Sequence, residues 1–331
     1  MRCDGADPGA LAQAARLLAD GGLVAFPTET VYGLGARADD DRAVRAIFAA
    51  KGRPSDHPLI VHVAERTGVA AFAADWPPVA DRLAAAFWPG PLTLIVQRRP
   101  GRATAAAGGH PTIGLRCPSH PVAHALLEAA ARQGVPGVAA PSANRFGRIS
   151  PTRADHVVAE FGDGILVLDG GACEMGIESA IVDCSSAHPV LLRPGSLTRT
   201  QIEGAAGEPL HARGVRDARA PGTLESHYAP SARLRLWSPE ALQGAFGTLD
   251  AKAALGVAVY SRTLPVGGTA GSAPAASVRT MPQSASAVGR ELFAVLRDLD
   301  ALGVTEIWVE QPPDLPEWEG VRDRLHRAAA G

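Results

Sequence analysis

A chain of 331 residues, 46% apolar and 20% charged, can bury a sizeable core; it is not disordered, and its length suggests two domains. A net charge of -2 excludes a global basic field that would coat nucleic acid, so any tRNA involvement is indirect or confined to a local patch. No long apolar run suited to a membrane helix occurs, and Cys3, Cys117, Cys173 and Cys184 show neither metal-binding spacing nor a disulfide framework.

Taken in chain order, helical periodicity runs from Leu11 to Leu18, stops at Asp20-Gly21-Gly22, and gives way to a buried strand over 23–26. A second helix fits 41–50, with Val44, Ile47 and Phe48 on one face. A strand over 59–63, a helix over 79–87 and a strand over 92–96 follow, then strands at 112–115, 137–140, 165–168 and 179–182 and a helix at 120–133. This irregular alternation predicts a mixed α/β sheet in preference to a regular doubly wound one. The first domain is placed at 1–203. From 204 to 230 the periodicity is lost in a stretch rich in Gly, Ala, Arg and Pro, too long for an ordinary connection and therefore a linker or a lid. A small βαβ-type domain occupies 231–331: strand 233–237, helix 239–246, strand 256–261, a loop to about 279, and a helix at 284–302 on Val288, Leu292, Val295, Leu299 and Leu302. A strand at 306–310 and a terminal helix to 329 complete it. An N-terminus without a charged region leading into an apolar one gives a cytoplasmic address.

Chemistry concentrates in a few clusters. PTETVYGLG (27–35) brings Thr28, Glu29, Thr30 and Tyr32 to the end of a strand. KGRPSDHPLIVHV (51–63) sets Lys51 and Arg53 two residues apart before a proline-restrained turn. They either complement a helix dipole or grip a triphosphate, lysine as a point charge and arginine as a fork. Lys51 is one of only two lysines, the other being Lys252, in a chain whose cations are otherwise arginine; it marks a place that needs a compact ammonium. Neither GxxxxGK[ST] nor GxGxxG after a strand is present, so phosphate binding has to use side-chain cations. TIGLR (112–116) puts Thr112 and Arg116 on one strand face, and an arginine in an apolar strand must find an anion or solvent; a carboxylate substrate is a natural partner. APSANRFGRISPT (140–152) holds Ser142, Asn144 and Ser150 between prolines. IESAIVD offers Glu178 and Ser179 entering a strand, and LLRPGSL offers Arg193 leaving one. The histidines have no metal-ligand spacing, so no protein metal site is read.

In this order and spacing, PTETVYGLG, KGRPSDHPLIVHV, WPGPLT, TIGLR, PSAN…SPT, ESAIVD and LRPGS resemble the YrdC-like family of threonylcarbamoyl-AMP synthases. The resemblance covers about 11–200, and the segment ending HYAP (227–230) with the C-terminal domain resembles the long two-domain form. It implies a twisted, open mixed sheet enclosing a large cationic cavity, followed by a smaller Rossmann-like domain. It also implies an enzyme that joins ATP, L-threonine and bicarbonate or CO2 into threonylcarbamoyl-AMP, with pyrophosphate and water released. Mg2+ would arrive with ATP, and a threonylcarbamoyl-transferase complex acting on tRNA would take the product.

By matching motifs, Thr30, His62, Arg116, Ala140 and Ser179 would hold threonine. Arg53, His57, Thr112, Ser142, Asn144, Ser150, Arg193 and Tyr228 would hold ATP, with Lys51 and Arg53 as the catalytic cations. His57 stands where the family more often has asparagine, and PGTLESHYAP replaces a more basic stretch. As a lid, 204–230 would bring Tyr228 back onto ATP; otherwise Tyr228 packs at the domain boundary. Two other functions stay open: an enzyme acting on a different carbamoyl-adenylate, and a double-stranded RNA-binding regulator that uses the cationic cavity.

Overall fold

The computed structural model describes all residues except 212–213, 215–219, 223–226 and 265–276. Much of the expected lid and of the loop before 279 therefore lies outside the described residues. The chain divides into two units: Met1–Phe146 with Ser150–Thr223, and Gly147–Ile149 with Leu224–Gly331.

In the first unit, β1 (Arg2–Asp4) leads to α1 (Pro8–Ala19), β2 (Val24–Phe26), β3 (Gly33–Arg37), α2 (Asp41–Lys51) and β4 (Ile60–His62). Then come α3 (Pro78–Phe87), β5 (Leu92–Gln97), β6 (Thr112–Arg116), α4 (Pro121–Arg132) and β7 (Val138–Ala139). The unit closes with α5 (Ala154–Phe161), β8 (Leu166–Asp169), β9 (Ala180–Asp183), β10 (Val190–Arg193) and α6 (Arg199–Ala206). All ten strands form one mixed sheet in the order β1-β8-β2-β3-β7-β4-β6-β5-β9-β10.

Local chemistry starts the helices. Asp7 accepts from the amides of Gly9 and Ala10, with Pro8 in the first turn, and Asp40 does the same for Arg42 and Ala43. Thr198 and Gln201 close a capping box on α6. Along each central strand alternate residues go to opposite faces. Val61, Leu94, Val96, Leu115 and Val182 join the main core with Val44, Ile47 and Leu83, while Ile60, Ile95 and Ile181 line the other face.

Four elements of the first unit, β1, β3, α5 and α6, were not expected from periodicity. β3 is GLGAR, poor in strand formers, yet only glycine fits at Gly35: an added Cβ would stand 2.7 Å from Val138 Cγ1 and 2.8 Å from Phe26 Cε1. α6 is short and buries only Ile202 and Ala206, too few to show a period.

The second unit is a four-stranded parallel sheet in the order β11-β14-β12-β13, made of β11 (Arg233–Trp237), β12 (Val257–Ser261), β13 (Ser277–Thr280) and β14 (Glu306–Glu310). Its helices are α7 (Pro239–Gly247), α8 (Ala251–Ala254), α9 (Ala285–Asp300) and α10 (Glu319–Ala329). β13, mostly exposed at the sheet edge, was expected as loop. α9 buries Val288, Leu292, Val295 and Leu299 as expected, but it ends at Asp300, and Leu302 is exposed.

Tyr228 belongs to this unit. It is buried at φ +66°, a region a tyrosine enters at a cost of about 1–3 kcal/mol. Its ring lies 5.3 Å from that of Phe293 and 4.1 Å from that of His227, and the fully buried Arg324 guanidinium stands 5.5 Å from the ring centre. Tyr228→Ala should therefore destabilise the C-terminal unit by about 3–5 kcal/mol in urea unfolding; a loss below about 1 kcal/mol would contradict this packing.

Candidate active site

Five adjacent strands, β7, β4, β6, β5 and β9, bring a row of residues to one face at one level. His62 pairs with Arg116 across the parallel β4–β6 ladder and with Val138 across β4–β7. Paired residues share a face, as does every second residue along a strand, so Ala140 joins His62. Its N–H continues the ladder to Ile60 O at 2.9 Å. On the other side Leu94 pairs with Leu115, so the next pair is Thr93 opposite Arg116. Ile181 pairs with Thr93, and Ser179, two residues earlier, puts its Oγ 2.8 Å from Thr93 Oγ1. The row reads Ala140, His62, Arg116, Thr93, Ser179, and every member is buried.

Arg116 has its anion within the chain. Its Nη2 donates to Glu29 Oε1 at 2.6 Å, its Nε to Gly90 O at 3.3 Å, and Glu29 Oε2 also accepts the Ser119 N–H at 3.1 Å. The turn carrying Glu29 is folded by Thr28, whose hydroxyl donates to Val31 O at 2.7 Å, accepts the Thr30 and Val31 amides at 3.2 Å, and lies 2.8 Å from Thr30 Oγ1. Burial, then the positive Arg116, pushes the His62 imidazole down to about 3, so the ring is neutral at physiological pH. Its Nδ1 has no hydrogen-bond partner among the described residues.

Arg193 holds Ser179 in place. Nε and Nη2 donate to Ser179 O at 3.1 and 2.9 Å, Nη2 reaches Ser179 Oγ at 3.2 Å, and Nη1 donates to Pro221 O at 3.0 Å. The turn after Arg193 lies so close to β9 that a Cβ on Gly195 would come within 2.4 Å of the Ala180 nitrogen.

A second group gathers around the end of α2. Gly52 takes the left-handed conformation, φ +63°, that lets the chain turn out of the helix. Lys51 is buried, and its Nζ donates to the carbonyl oxygens of Ser142, at 2.6 Å, and of Asn144. Burial, followed by the charge of Arg53, pushes its ammonium well below the usual lysine range. The Arg53 guanidinium donates to Pro58 O at 3.0 Å and stands 5.6 Å from the centre of the Phe146 ring, while His57 meets the same ring edge-on at 5.5 Å. Ser150 Oγ donates to Glu178 Oε1 at 2.5 Å, beside Ser179. Thr112 starts β6 on the Arg116 face, paired with Gln97.

The structure thus gathers Thr30, His62, Arg116, Ala140, Ser179 and Arg193 around one sheet face. Lys51, Arg53, His57, Ser142 and Asn144 gather around the end of α2, and Tyr228 sits in the second unit. Phe146, which joins Arg53 to His57, was not singled out from sequence; a lone aromatic in a polar loop was its only signal. Thr93 was missed as well, though it is the one hydroxyl in an apolar strand. Among the described residues, no group of three or more His, Cys, Asp or Glu could hold a metal ion.

The sequence profile of the Sua5/YciO/YrdC family, described as "Telomere recombination", matches residues 16–195. The chain belongs to this family. A second profile, "Threonylcarbamoyl-AMP synthase, C-terminal domain", matches residues 197–330. The chain is 38% identical over 324 residues to the threonylcarbamoyl-AMP synthase of Pyrococcus abyssi, covering 96% of this chain and 93% of that protein. It is 40% identical over 330 residues to that of Bacillus subtilis, covering 97% and 93%. The structure of P. abyssi Sua5 complexed with L-threonine superposes with a TM-score of 0.85 at 38% identity, covering 96% of this chain and 94% of that one.

Because His62 is neutral when folded, the unfolded chain takes up a proton below about pH 6.5 that the folded chain refuses down to about 3. Stability should fall as pH falls through that window, by up to about 1.4 kcal/mol per pH unit, and not change on this account above it. His62→Gln should make the melting temperature fall less steeply between pH 7 and pH 4, with His120, also pushed down by burial, keeping part of the slope. Parallel melting curves would show that His62 ionises in the folded protein.

Proposed function

We propose that this chain is a threonylcarbamoyl-AMP synthase: the threonine amine captures bicarbonate with loss of water, or CO2 with loss of a proton, and the carbamate oxygen attacks the α-phosphorus of ATP, releasing pyrophosphate. One observation carries the reading. A buried arginine, a neutral histidine and two hydroxyls share one sheet face, in a chain similar over 96–97% of its length to threonylcarbamoyl-AMP synthases.

Threonine is assigned to Thr30, His62, Arg116, Ala140 and Ser179. Glu29 already fixes the Arg116 fork, so the substrate carboxylate meets a cation that needs no reorganisation. ATP is assigned to Arg53, His57, Thr112, Ser142, Asn144, Ser150, Arg193 and Tyr228, with Lys51 and Arg53 stabilising charge on the phosphates. Mg2+ bound to the triphosphate oxygens would supply charge neutralisation beside Lys51 and Arg53. No covalent nucleophile is needed; positioning and charge stabilisation suffice. The product is a labile mixed anhydride, so we assign its use to a cytoplasmic threonylcarbamoyl-transferase complex acting on tRNA, with any RNA contact by this chain weak. The domains are assigned as 1–203, 204–230 and 231–331.

The deciding assay is pyrophosphate release from ATP, dependent on both threonine and bicarbonate; its absence in folded protein overturns the proposal. Valine, lacking the hydroxyl, should be rejected by about 10⁴-fold in kcat/KM, and serine by about 10–200-fold. Equal use of valine would refute the threonine pocket.

Lys51 provides a separate check. A phosphate beside the Lys51 ammonium opposes the downward push of burial, so ATP binding should favour proton uptake there, read by calorimetry across a pH series in buffers of different ionisation enthalpy. Lys51→Met should remove that uptake, and uptake unchanged in the variant would take Lys51 off the phosphates.

A further inference from the structure

The row of residues across β7, β4, β6, β5 and β9 has His62, Arg116 and Thr93 on β4, β6 and β5, with Ala140 just after β7 and Ser179 just before β9. Four of them, Ala140, His62, Arg116 and Ser179, are assigned to threonine by the reading above. The fifth, Thr93 on β5, stands between Arg116 and Ser179 and has no role in that reading. We infer that Thr93 is a specificity-determining positioning residue, which acts through Ser179 to orient one hydroxyl toward the substrate.

Thr93 is fully buried in a strand whose other buried residues are Leu92, Leu94, Ile95 and Val96, ahead of the exposed Gln97. Its methyl faces Gly114, whose missing Cβ leaves the room: a Cβ there would lie 3.3 Å from Thr93 Cγ2. Its hydroxyl is thereby turned the other way, 2.8 Å from Ser179 Oγ.

A count of donors then fixes the chemistry. Two hydroxyls carry two protons, and one proton is spent between them. Arg193 Nη2, which can only donate, takes a lone pair on Ser179 Oγ at 3.2 Å. Neither Thr93 nor Ser179 has another side-chain acceptor among the described residues, so the pair keeps one O–H to give away. The ligand side chain that satisfies it offers an oxygen acceptor next to the carboxylate assigned to Arg116, which the side chain of a β-hydroxy amino acid supplies and an aliphatic side chain does not. Without Thr93, Ser179 Oγ is held by Arg193 alone and its O–H is free to turn.

The inference rests on the proposed threonine site, and the experiment separates the two. Steady-state pyrophosphate release is measured for Thr93→Val, Thr93→Ser, Thr93→Ala and Ser179→Ala, with melting temperatures as the fold control. Thr93→Val, of nearly the same volume, should raise the KM for threonine about 3- to 10-fold, the effect of one lost hydrogen bond. It should leave kcat and the KM for ATP within about 2-fold, and narrow the preference for threonine over valine. Thr93→Ser should restore the wild-type KM. If Thr93→Val does not fold, Thr93→Ala and Thr93→Ser supply the same comparison. A threonine KM unmoved in folded Thr93 variants, while Ser179→Ala raises it, overturns the inference and leaves the site intact. A threonine KM unmoved by Ser179→Ala overturns the threonine-site reading and this inference with it.

Discussion

Arg116 lies buried near the middle of a ten-stranded sheet, and its charge is tolerable there only because Glu29 closes on it at 2.6 Å. Removing either partner of such a pair strands the other, at a cost of about 3–5 kcal/mol. The constraint spreads outward. For Glu29 to reach Arg116, the turn between β2 and β3 must be held by Thr28 and must carry Thr30 alongside. For Arg116 to sit on the face of His62 and Thr93, the ladders on both sides of β6 must keep their register, since a slip of one residue would move every side chain to the other face. The same guanidinium helps keep His62 neutral. One buried ion pair therefore links the turn, the register and the protonation state of the site.

The two cations after α2 divide their work differently from what their spacing suggests. Lys51 spends two of its three N–H donors on the carbonyls of Ser142 and Asn144, so it ties the PSAN loop to the helix end before any phosphate is considered. Arg53 is oriented by one carbonyl and a ring, Pro58 O and Phe146. The compact ammonium fits between two carbonyls where a planar guanidinium would not, which accounts for a lysine at 51 in a chain whose only other lysine is Lys252.

Elements with strong periods were legible in the sequence: α1, α2, α4 and α9 from their apolar faces, and β4, β5 and β6 from short β-branched runs. β3 was not, because Gly33 and Gly35 serve close packing and carry no strand signal. The motifs marked His62, Arg116 and Ser179 but could not say what they touch. Glu29 is 87 residues from Arg116 in the chain, and the pairing appears only once the strands are in register. The partners of Lys51 are backbone carbonyls, which any residue supplies, so no side chain announces them. Thr93 looked like an ordinary strand residue until Ser179 was set beside it.

The second unit shows how a site-like arrangement can be closed by the chain itself. The carboxyl ends of parallel strands are where open α/β sheets bind ligands, and consecutive amides with an arginine make a ready cradle for an anion. Here Ser261, Arg262 and Thr263 form such a cradle at the end of β12, and it closes on Glu310 at the end of β14, which accepts from the Ser261 hydroxyl at 2.5 Å, the Arg262 and Thr263 amides at 3.0 Å, the Arg262 guanidinium at 2.8 Å and the Thr263 hydroxyl at 2.8 Å, while Arg262 also donates to Gln311 O at 2.8 Å. Burial pushes the Glu310 carboxyl up, but the bonds from Ser261 and Thr263 and the charge of Arg262 outweigh it and hold the group below the usual carboxylate range. A carboxylate kept ionised in the middle of the cradle occupies the place an external phosphate would take. Its polar groups instead lock β12 to β14, so the carboxyl end of this sheet serves cohesion.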